Sequence, residues 1–126
     1  DILKRAEDIP NLRIHDGLTF FQSLHFFKDA SCLVNTSSSE GFPNTFIQAG
    51  LTKTPILSFA VDPDKILEQY DMGYCCYGDF EKARDFLISL SKERIDRMGA
   101  NGFEYVKKHH NLEDKIEQYR TIITEL

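Results

Sequence analysis

The sequence predicts an α/β fold, in which a parallel sheet carries helices on both faces and a helical tail follows. Short apolar runs bounded by turn residues alternate with segments of helical periodicity through residues 12–90. Successive runs lie far enough apart for a crossover helix, which parallel strands require. Residues 92–125 carry only helical patterns, and these predict the tail.

Elements in the first half follow from turn residues and periodicity. Pro10 precedes and Gly17 follows a short apolar run, as expected of a strand between turns. Phe20, Leu24 and Phe27 recur at helical spacing. The predicted elements are, in order, the end of a helix at Ile2–Glu7, a strand at 12–14, a helix at 20–28, a strand at 31–35 and a helix at 44–52.

Cap residues mark the helix starts in the second half. Asp62, Asp79, Ser91 and Asn111 each precede a helical pattern, and their side chains suit N-caps. The predicted elements are a strand at 54–59, a helix at 63–70, a strand at 73–77, a helix from the Asp79 cap to residue 90, and tail helices at Lys92–His109 and Leu112–Glu125.

Size and charge limit the possible functions. The chain has 126 residues and a mass of 14.5 kDa, which suits a single domain spanning residues 1–126. Its net charge of -5 provides no basic field for nucleic acid. No apolar run approaches the roughly 20 residues that cross a bilayer, so no integral membrane segment is expected.

The cysteines predict reduced thiols and a cytoplasmic protein. Cys32, Cys75 and Cys76 lie within apolar, strand-like runs, and their odd number argues against a disulfide framework. The adjacent pair could form a metal or redox site. A strand would place those two side chains on opposite faces, which argues against joint action.

The most informative segment runs from Ser37 to Ala49. An acid, a glycine and a proline at Glu40, Gly41 and Pro43 form a loop that leads from a strand into a helix. A helix N-terminus offers free backbone N–H groups and the positive end of the helix dipole. Such a loop is suited to hold a phosphate or a sugar hydroxyl.

This segment resembles the donor-site motif of family-four retaining glycosyltransferases, which have two Rossmann domains (the GT-B fold). The match includes Ser37, residues 40–49 and the Thr54-Pro55-Ile56 strand start. Other stretches also resemble the family, and together they cover nearly all of the chain: residues 10–17, 62–67, Gly73, Met98-Gly99 and residues 105–110. The resemblance implies a Rossmann-like sheet belonging to a C-terminal, donor-binding domain.

The resemblance also implies roles for individual residues. Glu40 would contact the donor sugar and is the closest candidate for a catalytic residue. Gln48 would bind the ribose, although the family usually has Glu there, and Ile14 and Leu18 would lie against the nucleobase. The remaining donor-loop residues would contact the sugar and the diphosphate: Gly41, Phe42, Pro43, Asn44 and Thr45.

The implied activity is transfer of a hexosyl unit from a UDP- or GDP-linked sugar to a glycan or lipid, with retention at the anomeric carbon. The family requires no metal or other cofactor, and it commonly builds surface polysaccharides. It works in the cytoplasm, also at the inner face of the membrane. Its acceptor contacts lie in an N-terminal domain, and its basic groups for the diphosphate match nothing in this chain. We therefore expect a partial domain that is inactive alone.

Other readings of the sequence remain open. The parent could be another GT-B sugar-nucleotide enzyme, such as an epimerase, or the chain could be a non-catalytic α/β binding module. A receiver-like module needs an acidic cluster, which Asp16 alone does not form. Asp62-Pro63-Asp64 imitates a metal motif, but is predicted to be a helix start. The four histidines show no metal-ligand spacing, so no metal site is predicted.

Overall fold

The computed structural model describes residues 2–125. Within these residues, three strands and seven α-helices follow one another, and β and α elements alternate in the middle of the chain. In chain order they are α1 (Ile2–Glu7), α2 (Phe20–Asp29), β1 (Leu33–Asn35), α3 (Asn44–Leu51), β2 (Ile56–Ser58), a 3-10 turn (Pro63–Lys65), α4 (Ile66–Gln69), β3 (Gly73–Cys75), α5 (Phe80–Ile88), α6 (Lys92–His109) and α7 (Leu112–Glu125).

The strands form a parallel sheet in the order β1-β2-β3. Leu33 of β1 pairs with Ile56 of β2, and Leu57 of β2 pairs with Tyr74 of β3. Each pair of strands is connected through a helix, as parallel strands require. The predicted α/β fold is therefore confirmed, and its arrangement is Rossmann-like.

The strand predicted at residues 12–14 is wrong. Residues 12–19 have no regular secondary structure, and residues 12–14 are all exposed. A strand is stabilised by hydrogen bonds to a neighbouring strand and by burial of one face. Within residues 2–125 this segment pairs with no strand of the sheet, so it has neither of these two sources of stability.

The single helix predicted at residues 63–70 is also wrong. The chain makes a 3-10 turn and then the short helix α4, because Asp64 and Lys65 adopt left-handed conformations with φ of 52° and 56°. Asp62 does not cap the 3-10 turn. Its Oδ1 instead accepts a hydrogen bond from Leu67 N–H at 3.1 Å, so this carboxylate caps α4 from a distance.

The other predicted caps are confirmed. Asp79 accepts a hydrogen bond from Lys82 N–H, and Ser91 accepts one from Arg94 N–H, both at 3.1 Å. The Asn111 side chain accepts from the N–H group two residues later. Every helix in residues 2–125 is too short or too polar to cross a membrane.

The sheet separates two hydrophobic clusters, one on each face. Ile56 belongs to one and Leu57 to the other, as expected for successive residues of a strand. Cys75 and Cys76 are separated in the same way, as expected for neighbours in a strand-like segment. The first cluster contains Phe46, Ala49, Ile66, Leu67, Met72, Tyr105 and Val106, and the second contains Ala83, Phe86 and Met98.

Helices α3 and α6 pack against each other at very short range. A methyl group added at Gly50 of α3 would overlap the Val106 side chain and lie 2.8 Å from the carbonyl oxygen of Gly102. One added at Gly99 would overlap the Lys53 backbone. Gly99, in the first half of α6, thus lies against Lys53, just after α3. His110, just after α6, contacts Phe42, just before α3, so the two helices are antiparallel.

Candidate functional site

The loop between β1 and α3 lies at the carboxyl edge of the sheet. β1 ends at Asn35 and α3 begins at Asn44, so residues 36–43 form the connection. The corresponding edge in open parallel α/β sheets is where ligands bind. The segment that the sequence singled out therefore occupies the part of the fold best suited to a ligand.

A cavity of about 330 Å³ opens beside this loop. It brings together three of the predicted donor-loop residues, Glu40, Asn44 and Thr45. Leu33, Asn35 and Ser37 complete its wall. A carboxylate, an amide and hydroxyl groups thus share one open space, a set that can donate and accept hydrogen bonds to a polyhydroxylated ligand.

The N-terminus of α3 supplies donors to this cavity. Pro43 occupies the N-cap position with φ of -66° and ψ of 122°. No side chain caps the helix. Among the described residues, the N–H groups of Asn44 and Thr45 have no hydrogen-bond acceptor, and such groups attract anions.

Gly41 has no structural requirement to be glycine. Its φ lies outside the left-handed region, and an added methyl group would meet nothing within 4 Å. Glycine at such a place leaves the backbone open to close approach from outside the chain. The neighbouring residues are held more firmly, because Pro43 is fully buried and the Phe42 ring contacts the rings of Phe46 and His110.

Gln48 lies away from the cavity. Its side chain is only 8% exposed, and its Nε2 donates to Ser23 Oγ at 3.0 Å. That bond ties α3 to α2. A buried amide with a hydrogen-bond partner costs far less than a buried carboxylate would, which explains why glutamine suits this position.

The two residues predicted for the nucleobase lie in the irregular segment before α2. Ile14 is 44% and Leu18 is 41% exposed, and neither lines the cavity beside Glu40. Both have apolar surface available for contact. The structure therefore brings Glu40, Asn44 and Thr45 together, while Ile14, Leu18 and Gln48 lie outside that cavity.

Asn35 lines the candidate site, although no sequence pattern had predicted it there. It is buried, ends β1, and its Oδ1 accepts a hydrogen bond from Ser37 N–H at 2.7 Å. This bond fixes the direction in which the loop leaves the strand. A polar residue that closes an apolar strand was the available signal, since parallel strands deliver such residues to the ligand edge.

Charge around the cavity is limited to Glu40. Neither a lysine nor an arginine lines the cavity, and Glu40 forms no ion pair among the described residues. Just before β1, burial raises the pKa of the Cys32 thiol to about 11. The thiol therefore stays protonated near neutral pH and is a poor nucleophile.

A second cavity, of about 370 Å³, has a more acidic wall. It is lined in part by Asp62, Asp71 and Arg94. Burial is the main cause that raises the pKa of Asp62, and this carboxylate already caps α4. Asp71 pairs with Arg97 at 2.9 Å. The described part of the chain contains no group of three or more potential metal ligands.

Comparison with known proteins does not identify the chain. No protein-family model matches the sequence, and no curated protein matches it.

Proposed function

We propose that this chain is the donor-binding part of a retaining glycosyltransferase that moves a hexosyl unit from a UDP- or GDP-linked sugar to a glycan or lipid acceptor. One observation carries the proposal: Glu40, Asn44 and Thr45 meet in one cavity at the uncapped N-terminus of α3. The resemblance of residues 37–49 to the family's donor motif supports the same assignment.

Each group has a distinct part in donor binding. The Glu40 carboxylate accepts hydrogen bonds from sugar hydroxyls, and bonds to a charged acceptor are the stronger kind. The N–H groups of Asn44 and Thr45, with the α3 dipole, stabilise the diphosphate as negative charge grows on it during transfer. Gly41 admits the ligand close to the backbone.

Binding without catalysis is the second candidate for this chain. The absence of a basic side chain from the cavity wall favours it, because the leaving diphosphate needs positive charge beyond one helix N-terminus. Under this reading the chain is a sugar-nucleotide binding module, and transfer requires groups that it does not supply. No metal ion or cofactor is part of either proposal.

Calorimetric titration of the full-length protein tests the proposal. UDP-glucose, GDP-mannose, UDP and GDP are titrated into the wild type, Glu40→Ala and Glu104→Ala, an exposed acid on α6 outside the cavity. We expect one sugar nucleotide to bind the wild type and to bind Glu40→Ala at least about tenfold more weakly, the range for a lost charge-assisted hydrogen bond. Its free nucleotide should bind both equally.

Two results would contradict the proposal. One is a folded wild type that binds none of the sugar nucleotides. The other is a sugar nucleotide that binds Glu40→Ala as tightly as it binds the wild type and Glu104→Ala.

A further inference from the structure

Six rings connect residues 36–43, called the donor loop below, to the end of α6. The Phe42 ring lies 4.9 Å from the His110 ring, and His110 lies 5.6 Å from Tyr105. Tyr105 in turn contacts Tyr70 and His109, each at 4.7 Å. Phe46, 6.4 Å from Phe42, completes this aromatic cluster.

The donor loop has little else to hold it. In the described part of the chain, the backbone of residues 38–42 makes no hydrogen bond. The loop is fixed at its start by the bond from Ser37 N–H to Asn35, and at its end by the buried Pro43. Between these points, the described residues give the loop the ring contacts of Phe42 with Phe46 and His110, next to Glu40 and Gly41 in the chain.

We propose that His110 is a positioning residue, which sets the place of Glu40 by packing its ring against Phe42. The inference rests on the proposed function only for its effect on ligand binding. His110 is suited to the task because it is the C-cap of α6, where its own N–H bonds to the Val106 carbonyl at 2.8 Å. Its backbone is therefore anchored to the helix that packs against α3.

His109 provides a matched control. Its ring contacts Tyr70 and Tyr105, and its Nε2 lies 3.3 Å from the Tyr70 hydroxyl oxygen, but it makes no ring contact with Phe42. Replacing His109 perturbs the same aromatic cluster and the same end of α6. Only replacing His110 removes the ring that faces the loop.

The first test measures the loop without any ligand. Backbone ¹⁵N relaxation gives order parameters for Glu40, Gly41 and Phe42 in the wild type and in three variants: His110→Ala, His110→Phe and His109→Ala. We expect the order parameters of all three residues to fall from the range of a rigid backbone toward that of a flexible one in His110→Ala. His110→Phe, which keeps a flat ring against Phe42, should restore them, and His109→Ala should leave them unchanged.

The second test measures affinity for UDP-glucose and GDP-mannose by calorimetry. The sugar nucleotide that the wild type binds should bind His110→Ala about two- to tenfold more weakly, the range for one lost aromatic pair. The phenylalanine variant should bind as the wild type does. Free UDP or GDP should show a smaller loss, because Glu40 contacts only the sugar.

The outcomes separate this inference from the proposed function. If His110→Ala leaves the loop order parameters at wild-type values, or lowers them no more than His109→Ala does, the positioning role is overturned. If the loop loses order in His110→Ala and regains it in His110→Phe while the wild type binds no sugar nucleotide, the positioning role holds and the proposed function fails.

Discussion

Cys32 illustrates how the surroundings of a single side chain produce a pH dependence. Burial raises the pKa of its thiol from 9.0 to about 11, although a hydrogen bond involving the Leu57 backbone acts in the opposite direction. The unfolded chain therefore ionises this thiol at a lower pH than the folded protein does. Above pH 9 the unfolded state holds fewer protons, so stability decreases as pH rises through the folded pKa.

We expect Cys32→Ala to weaken this pH dependence. Between pH 8 and pH 10 the free energy of unfolding of the wild type should fall by about 1 kcal/mol more than that of the variant. Urea denaturation at the two pH values measures the difference, and other titrating groups contribute equally to both proteins. Equal losses in the two proteins would show that burial does not hold this thiol in its protonated form.

The position of a candidate-site residue could be predicted from the sequence when the local path of the backbone determines it. Glu40, Asn44 and Thr45 line one cavity because the loop joins a parallel strand to a helix N-terminus. Gln48 lies four residues into the same helix, so its direction depends on what packs beside α3. Its bond to Ser23 of α2 is a tertiary contact that no local pattern encodes.

The contact between α3 and α6 gives a prediction at the level of elements. Glycine inside a helix normally costs about 0.5–1 kcal/mol relative to alanine. Gly50→Ala should instead destabilise the protein, because the new methyl group would overlap Val106 and crowd the Gly102 carbonyl. We expect a loss of at least about 2 kcal/mol in the free energy of unfolding, as for other overpacked sites.

Gly102→Ala is the matched control on the facing helix. Its added methyl group would meet the nearest atoms at 3.6–3.8 Å, which is ordinary van der Waals contact. This variant should equal or exceed the wild type in stability, as measured by chemical denaturation. Similar losses in Gly50→Ala and Gly102→Ala would mean that the two helices do not approach as closely at Gly50 as described.

Helices were predicted well where an N-cap residue stands directly before a segment with helical spacing of apolar residues. Asp79 before α5 and Ser91 before α6 are examples. The strand predicted at residues 12–14 failed because pairing, not sequence, decides whether a short apolar run becomes a strand. The helix at 63–70 failed because Asp64 and Lys65 take left-handed backbone conformations, which a helical residue pattern does not reveal.

Burial is distributed unevenly over the described residues. β2 is the central strand, and all three of its residues are buried between the two clusters. No residue of α2 is buried, and Phe21 is 76% exposed. Few buried apolar contacts mark regions that open without global unfolding.

Native-state hydrogen exchange should detect this difference. We expect the helical amides of α2 to exchange through a local opening whose free energy is well below that of global unfolding. The reason is that none of the residues of α2 is buried. The central amides of β2 should exchange only on global unfolding. Equal opening free energies for α2 and β2 across a denaturant series would contradict the prediction.

The contact between Phe42 and His110 also has a consequence for biosynthesis. The two rings belong to residues about 70 positions apart in the chain. Proteins are synthesised from the N-terminus at roughly 5–20 residues per second, so Phe42 leaves the ribosome several seconds before His110. The ring contact beside the carboxyl edge of the sheet can consequently form only when the end of α6 has emerged, after the strands beside it are already made.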